Sequence, residues 1–579
     1  MPRKVHPPER RNRGKARTQR GAASTLAAIW LVVAVAALGA IDIGNLFFAR
    51  RSLQSVADLA ASAGAQRVDS TCARSLAAAN GSAGSNGFDP SATGNSLAVT
   101  CGRWDTQANA APDFFSTNGT PANAVKVTAA RTVPYFFLGP ARQVTASAIA
   151  KSTDVGSFSI GTTLVSISGG TVNDLLNALL GTNLNLTLAS YQGLADARVR
   201  VGDLVTAAGV GTVDQLLAAQ LTAAQIARLM LTALQTTTVA NASLATAIGA
   251  MGAIVNANIP GNQTIALGSK NGAPGLLSVG FANTQSALDA TISPLEALLV
   301  TAEIAQAGKS AVNVGASLAL PGLISAALKV QIIQPPVLAI GEAGRDPNGN
   351  WRTLAHAAQV RAFVDVSVLP LPLPAGFGGA KPMIHVPLYL EVAPGTAWLV
   401  STQCAGAASA RRSVIGVQTG LANVCVGDTP ANMGAFSCSK PATLVNILGT
   451  LTVSMAASLP ATMPASAQTT LTFDGVSGNG DDYKTVPAAP GASLSNALAG
   501  LSASLSAPGG LTVSSPLLPS WLLSPVAPLL VATLVPVLGT VLAGLDQVLL
   551  PVLQLLGAQV GTSTIHDLSL TCGESQLAY

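Results

Sequence analysis

The hydrophobic pattern of this chain changes character several times along its length. It opens with an uncharged run from Gly21 to Ile41, GAASTLAAIWLVVAVAALGAI. At a rise of about 1.5 Å per residue these 21 positions cover the ~30 Å hydrocarbon core of a bilayer, and a helix crosses there because it satisfies its own backbone. Residues 42–65 carry no turn signal, so the pattern predicts a single helix from Gly21 to about Ala65. A cleaved signal peptide would have a shorter apolar region of about 7–15 residues and then a small-residue cleavage site. A retained anchor is therefore expected.

Beyond the anchor the period shifts towards two. Gly/Asn/Ser-rich sequence from Asn80 to Asn95 reads as loop, and Ser96–Trp104, Ala124–Ala129 and Val144–Ala150 alternate as strands. Residues 155–327 are helix-rich. Thr171–Gly181, Thr212–Leu217 and Thr222–Met230 each place a capping residue before an apolar stripe, with one alternating strand at Ala197–Val201. Residues 328–490 alternate again at Ala327–Ile333, Ala358–Val366, Ile384–Val392 and Trp398–Cys404, for which antiparallel pairing is expected. Ser520–Leu545 is uncharged but contains Pro525, Pro528 and Pro536, which break or kink helices. No Lys or Arg follows in residues 546–579 to hold a cytoplasmic end, so a buried or membrane-interface helical hairpin is expected rather than a second crossing. The fold class is α+β: a single N-terminal transmembrane helix, then a large disulfide-containing extracytoplasmic body of mixed helices and antiparallel sheet. The expected divisions are a basic cytoplasmic tail (1–20), a transmembrane and stalk helix (21–65), a small β-rich module (66–150) and a large α+β region (151–579).

Charge fixes the expected direction of the anchor. Of 31 Lys/Arg and 26 Asp/Glu in the chain, eight basic residues and one acid lie in residues 1–20, leaving 23 against 25 elsewhere. The positive-inside rule places the tail in the cytoplasm and the body across the membrane. The net charge of +5 therefore describes a tail, and no nucleic-acid-binding body is expected. Six cysteines, Cys72, Cys101, Cys404, Cys425, Cys438 and Cys572, suit disulfides outside the cytoplasm. Proximity suggests Cys72–Cys101 and leaves Cys404, Cys425, Cys438 and Cys572 to pair among themselves, with Cys404–Cys425 and Cys438–Cys572 as the expected pairs. No CxxC pair and no histidine at metal-ligand spacing is present, so no metal or thiol-redox site is expected.

Candidate chemistry is sparse. The histidines are His6, His356, His385 and His566, and no Gly-x-Ser-x-Gly elbow or complete Gly-x-x-x-x-Gly-Lys-Ser/Thr phosphate loop accompanies them. The oxygen-rich loop Asp474–Asp482 lacks calcium-loop spacing and reads as a hairpin loop. No enzyme activity, cofactor or small-molecule substrate is expected.

Arg20-Gly21-Ala22, the apolar span, Asp42-x-Gly44 and Leu53-Gln54-x-x-Ala57-Asp58-x-Ala60 together form a pattern that resembles the N-terminal segment of TadG-like Flp pilus-assembly proteins. Val330–Gly341, with its central Pro335-Pro336, is similar to a block of the TadG-type C-terminal region, as are Thr470–Asp474 with Lys484–Val486, and Leu570–Cys572. The resemblance implies an inner-membrane protein of the tight-adherence (Flp, type IVb) pilus system, an accessory or minor structural component whose partners are the membrane and other pilus-assembly or envelope proteins. The alternative is an envelope-binding or adhesin-like protein unrelated to pili. Prepilins carry Glu five residues after the processing glycine; Gly21 is followed there by Leu26, so processing as a pilin is not expected. Some TadG proteins carry an Asp-x-Ser-x-Ser metal site; Asp365-Val366-Ser367-Val368-Leu369 lacks the second serine, so that site is not expected either.

Overall fold

The computed structural model describes residues 20–578 apart from 69–70, 107, 138, 162–168, 240, 262, 270–272, 281–283, 315–322, 369–381, 405–407, 428–432, 435, 448 and 488–492. Most of the basic tail, and with it His6, lies outside the described residues.

Helix α1 (Arg20–Ala65) is continuous over 46 residues. Its two halves differ in what covers them. Leu26, Ile29, Trp30, Leu31, Val32, Phe47 and Phe48 face outwards, whereas Leu53, Val56, Ala57, Ala60, Ala61 and Ala65 are buried. The buried set recurs at three- and four-residue spacing and so forms one stripe. Its small alanines let α1 lie close on a sheet. That sheet comprises β1 (Asn95–Trp104), β2 (Phe115–Thr117), β3 (Ala124–Val133) and β4 (Arg142–Lys151), ordered β2–β1–β3–β4 and antiparallel. Helix α2 (Ala73–Ser85) also packs on α1, through Ala79 and Ala83. Residues 80–85 are therefore helical rather than loop. Burial of Ser75, Ala79 and Ala83, four residues apart, offsets the weak helix propensity of Asn80, Gly81 and Gly84.

The chain's last strand, Gln576–Ala578, pairs with β4 and completes this sheet as its fifth member. The C-terminus thus returns to the module that follows the anchor.

The body begins at β5 (Val155–Ile160), in the middle of a second sheet. Its order is Tyr483–Val486, Ser563–Thr571, β5, Leu338–Gly341, Leu277–Gly280. Leu338–Gly341 and Leu277–Gly280, neither of them among the strands expected from the sequence, run parallel. Their connection passes through helix Pro294–Gln306, the kind of long crossover a parallel pair requires. The largest sheet runs through Leu323–Gln334, Gln359–Val368 and Ile384–Val392, all antiparallel, with Ala422–Val426 branching from the last. A fourth sheet holds Leu354–His356, Thr396–Gln403, Arg412–Gln418 and Thr469–Phe473.

Threonines cap later helices of this region, whereas Thr171, expected as a cap, lies inside the helix Gly169–Leu180. Thr212 accepts from the Gln215 N–H, and Thr222 and Gln225 form a reciprocal capping box at the start of Ala223–Thr236. The strand read at Ala197–Val201 shrinks to Val199–Arg200 because a helix begins at Val201. Helix Pro294–Gln306 is buried on every side from Pro294 to Ile304.

Two further expectations change. Asp474–Asp482 does not close a hairpin: it joins Thr469–Phe473, paired with Arg412–Gln418, to Tyr483–Val486, paired with Ser563–Thr571. The C-terminal apolar segment is not a hairpin but a short turn of helix, Ser520–Leu523, followed by one helix, Val526–Leu555, that contains Pro536 and Pro551. Each internal proline costs roughly 3 kcal/mol. Leu534, Leu538, Leu542, Leu545 and Leu549 are buried along it, each contributing about 1.5–3 kcal/mol, so packing outweighs the kink cost. It is also long and apolar enough to cross a membrane, by length and composition alone.

Candidate functional site

The residues of the N-terminal pattern gather in one continuous unit made by α1, its sheet and the junction with the body. At the outer end of the apolar span, Asp42 is buried although its neighbours on the helix are exposed. Its carboxylate accepts the N–H of Phe136 at 2.7 Å and of Phe137 at 3.2 Å. Both donors belong to the loop between β3 and β4. An ionised acceptor makes these bonds stronger than neutral ones. The Asp-x-Gly pattern thus works as a clip that fastens the hairpin to the helix just past the span. A Cβ placed on Gly44 would meet nothing within 4 Å, so packing within this chain does not require glycine there.

Leu53 and Ala57 lie in the core beneath the sheet. Gln54 donates to Asp58 at 2.8 Å and to the Ser147 carbonyl of β4 at 3.2 Å. The Leu-Gln…Ala-Asp pattern is therefore the seam between anchor and sheet, with its apolar members inward and its polar members bridging the edge. Cys72 is bonded to Cys101, which ties the start of α2 to β1.

The other two disulfides differ from the expected pairs. Cys404 pairs with Cys572 and Cys425 with Cys438. Cys425 lies on the branch strand Ala422–Val426 and Cys438 in the segment after it, with Sγ atoms in one buried cluster beside Tyr389 and Met433. Cys404 ends strand Thr396–Gln403, and the returning C-terminus brings Cys572 to it.

At that junction sits a cleft of about 330 Å³ lined by both the small module and the body, including Arg103, Asp154, Glu342 and Cys404. Arg103 of β1 contacts Glu342 at 2.5 Å and Asp105 at 3.1 Å, and donates to the Pro121 carbonyl at 3.1 Å. Arg352 lies 3.6 Å from Asp105. This buried charge network joins the module to the body. In the sequence Arg103 is one position of a strand, and the signal of a larger role is its single charge in an otherwise uncharged run. Burial raises the Asp154 carboxyl to about 6, against the opposing Gly573 N–H and the Arg411 charge. Asp154, Cys404 and Cys572 cluster closely enough to suggest a metal site, but the two sulfurs are bonded to each other and offer no thiolate. Ser575 closes the junction from the C-terminal side, hydrogen-bonded to Ser62 and Gln66 of the anchor's end.

A second polar cluster lies deep in the body. His566 Nδ1 is 2.6 Å from Glu296 and its Nε2 is 2.9 Å from Arg198, with Tyr483 stacked on the ring at 4.0 Å. Burial pushes the Glu296 carboxyl up, but the His566 charge and hydrogen bond, with Arg198, hold it below the ordinary range. His566 is 1% exposed, so the cluster joins helix Pro294–Gln306 to strand Ser563–Thr571, beside β5, rather than facing a substrate. His385 lies on an exposed strand position 3.7 Å from Asp365, and His356 faces Gln334.

Comparison with known families locates two parts of this arrangement. Residues 21–67 match the Flp pilus-assembly TadE/G-like family model, and residues 63–150 match the Tad-like Flp pilus-assembly model. Residues 168–305 match a domain of unknown function, DUF8293. No curated protein and no solved structure matches the chain.

Proposed function

We propose that this chain, which belongs to the Tad-like Flp pilus-assembly family through residues 21–150, is a membrane-anchored, non-catalytic accessory or minor structural component of Flp pilus assembly. One observation carries the reading. The helix that is long and apolar enough to span a membrane is the same helix that forms the core of the adjoining module, without a break. The body is therefore joined to the span through a continuous helix rather than a linker. The eight basic residues ahead of the span favour a cytoplasmic N-terminus, with the disulfide-bearing body on the other side of the inner membrane. Its partners on this reading are the membrane and other pilus-assembly or envelope proteins.

The test is deletion of the gene, with surface filaments counted by electron microscopy. Loss of filaments, restored by the intact chain but not by one truncated after Ala65, supports a role that requires the body. Unchanged filament number contradicts an obligatory role in assembly.

A further inference from the structure

The loop between β3 and β4 carries two large apolar side chains that the protein leaves uncovered: Phe136 is 62% and Phe137 54% exposed. Their backbone N–H groups are those held by Asp42, the first residue after the apolar span. The clip therefore fixes two phenyl rings at the level where hydrocarbon gives way to headgroups. Beside them, Ile43, Leu46 and Phe47 of α1 and Tyr135 of the loop line a groove of about 500 Å³ whose remaining wall includes Arg50 and Arg142. Both arginines are exposed, and among the described residues neither makes an ion pair or hydrogen bond to another side chain. Arg50 is eight residues beyond Asp42, about 12 Å along the helix, within reach of the headgroup layer that extends the ~30 Å core to about 40–45 Å.

We propose that this hairpin tip and groove form a lipid-binding collar: Phe136 and Phe137 enter the boundary between acyl chains and headgroups, and Arg50 and Arg142 hold the phosphate of an anionic phospholipid. The proposal rests on the anchoring reading above. Continuity argues for lipid over a protein occupant, because the groove continues the exposed face of α1 directly beyond the span, where Phe47 and Phe48 are 68% and 75% exposed. Aromatic rings and arginines at this depth are what an interface rewards, and the arginine stems reach headgroups while their aliphatic parts stay in apolar surroundings. The collar would set the tilt of the anchor and hold the module flush with the membrane.

The experiment uses the full chain in nanodiscs of phosphatidylcholine, alone or mixed three-to-one with phosphatidylglycerol. All described cysteines are bonded, so Phe137→Cys supplies a single thiol for a nitroxide, with Asn348→Cys as a control on an exposed turn of the body. The collar predicts that the label at 137 collides preferentially with oxygen over a water-soluble nickel chelate, and that the label at 348 does the reverse. It also predicts that R50Q/R142Q lowers the phosphatidylglycerol retained after purification, by about fivefold per arginine near an anionic surface. A chain that stays in the disc but shows nickel-accessible label at 137 overturns the collar and leaves the anchor standing. A label at 137 shielded from both reagents means a protein surface covers the loop and also overturns it. Retention of phosphatidylglycerol unchanged by R50Q/R142Q overturns the phosphate assignment. A chain that leaves the disc altogether overturns the anchor reading itself.

Discussion

Asp42 accepts two backbone N–H groups from a loop that lies 94 residues further along the chain. Asp42→Ala leaves both donors without their acceptor, which costs about 1.5–3 kcal/mol for bonds to a charged group, while Asp42→Asn keeps one carbonyl acceptor and costs less. The expected outcome is faster proteolytic nicking within residues 134–141 in the order Ala, Asn, wild type, with the rest of the digest unchanged. The motif containing Asp42 was legible in the sequence, but its task was not, because no local pattern announces a partner so distant. Glu303 is a sharper case. It is fully buried on helix Pro294–Gln306, and among the described residues neither carboxylate oxygen has a hydrogen-bond partner. Burial holds its carboxyl well above the ordinary 4.5. In the unfolded chain the group loses its proton near 4.5, whereas the folded chain keeps it, so folding stability falls as pH rises above that point, by up to 1.36 kcal/mol per pH unit until the folded group ionises. Glu303→Gln removes this loss. Denaturant midpoints compared at pH 4, 6 and 8 are expected to diverge, the variant gaining on wild type as pH rises; parallel midpoints would contradict the account. Nothing in the sequence separates Glu303 from a surface glutamate, since an all-apolar helix flank reads the same whether it is half or wholly covered.

Among the elements, the strands whose side chains alternate were readable in place. Leu323–Gln334, Gln359–Val368 and Ile384–Val392 coincide with alternating runs because one side of their sheet is core. Threonine-capped helices were readable for a similar reason: cap chemistry is local. Elements defined by distant contacts were not. Helix α2 is hidden by its Gly/Asn/Ser composition, the strand Gln576–Ala578 is three residues long, and the prolines of Val526–Leu555 signal an interruption that buried leucines override. Of the disulfides, Cys72–Cys101 forms as expected; the other two differ because nothing local in the sequence shows that the returning C-terminus brings Cys572 to Cys404. They also give a graded prediction. Cys404–Cys572 closes a loop over 168 residues and Cys425–Cys438 one over 13. On loop-closure entropy, replacing the first pair by serines costs about 5 kcal/mol and the second about 3 kcal/mol. Thermal unfolding of the two serine-pair variants should therefore rank the long bridge as the more damaging loss; the reverse order would place the stabilising effect in local packing around Tyr389 and Met433 instead.

At the scale of the whole molecule, a helix enters the module as its core, the body follows, and the last strand comes back to the module's sheet. Anchor, module and body are joined by covalent, ionic and sheet contacts at one place: the Cys404–Cys572 bridge, the Arg103–Glu342 pair, and the pairing of Gln576–Ala578 with β4. The span was legible from length, charge and apolarity. The closure was not, because it depends on residues 103, 342 and 576 meeting in space. The account's central claim is that the anchor is retained and continuous with the module. Intact mass spectrometry of the chain extracted from washed membranes tests it most directly. The account predicts a membrane-bound species whose mass includes residues 21–41 joined to the module. A mature chain that begins after the apolar span and is recovered free of the membrane would contradict it.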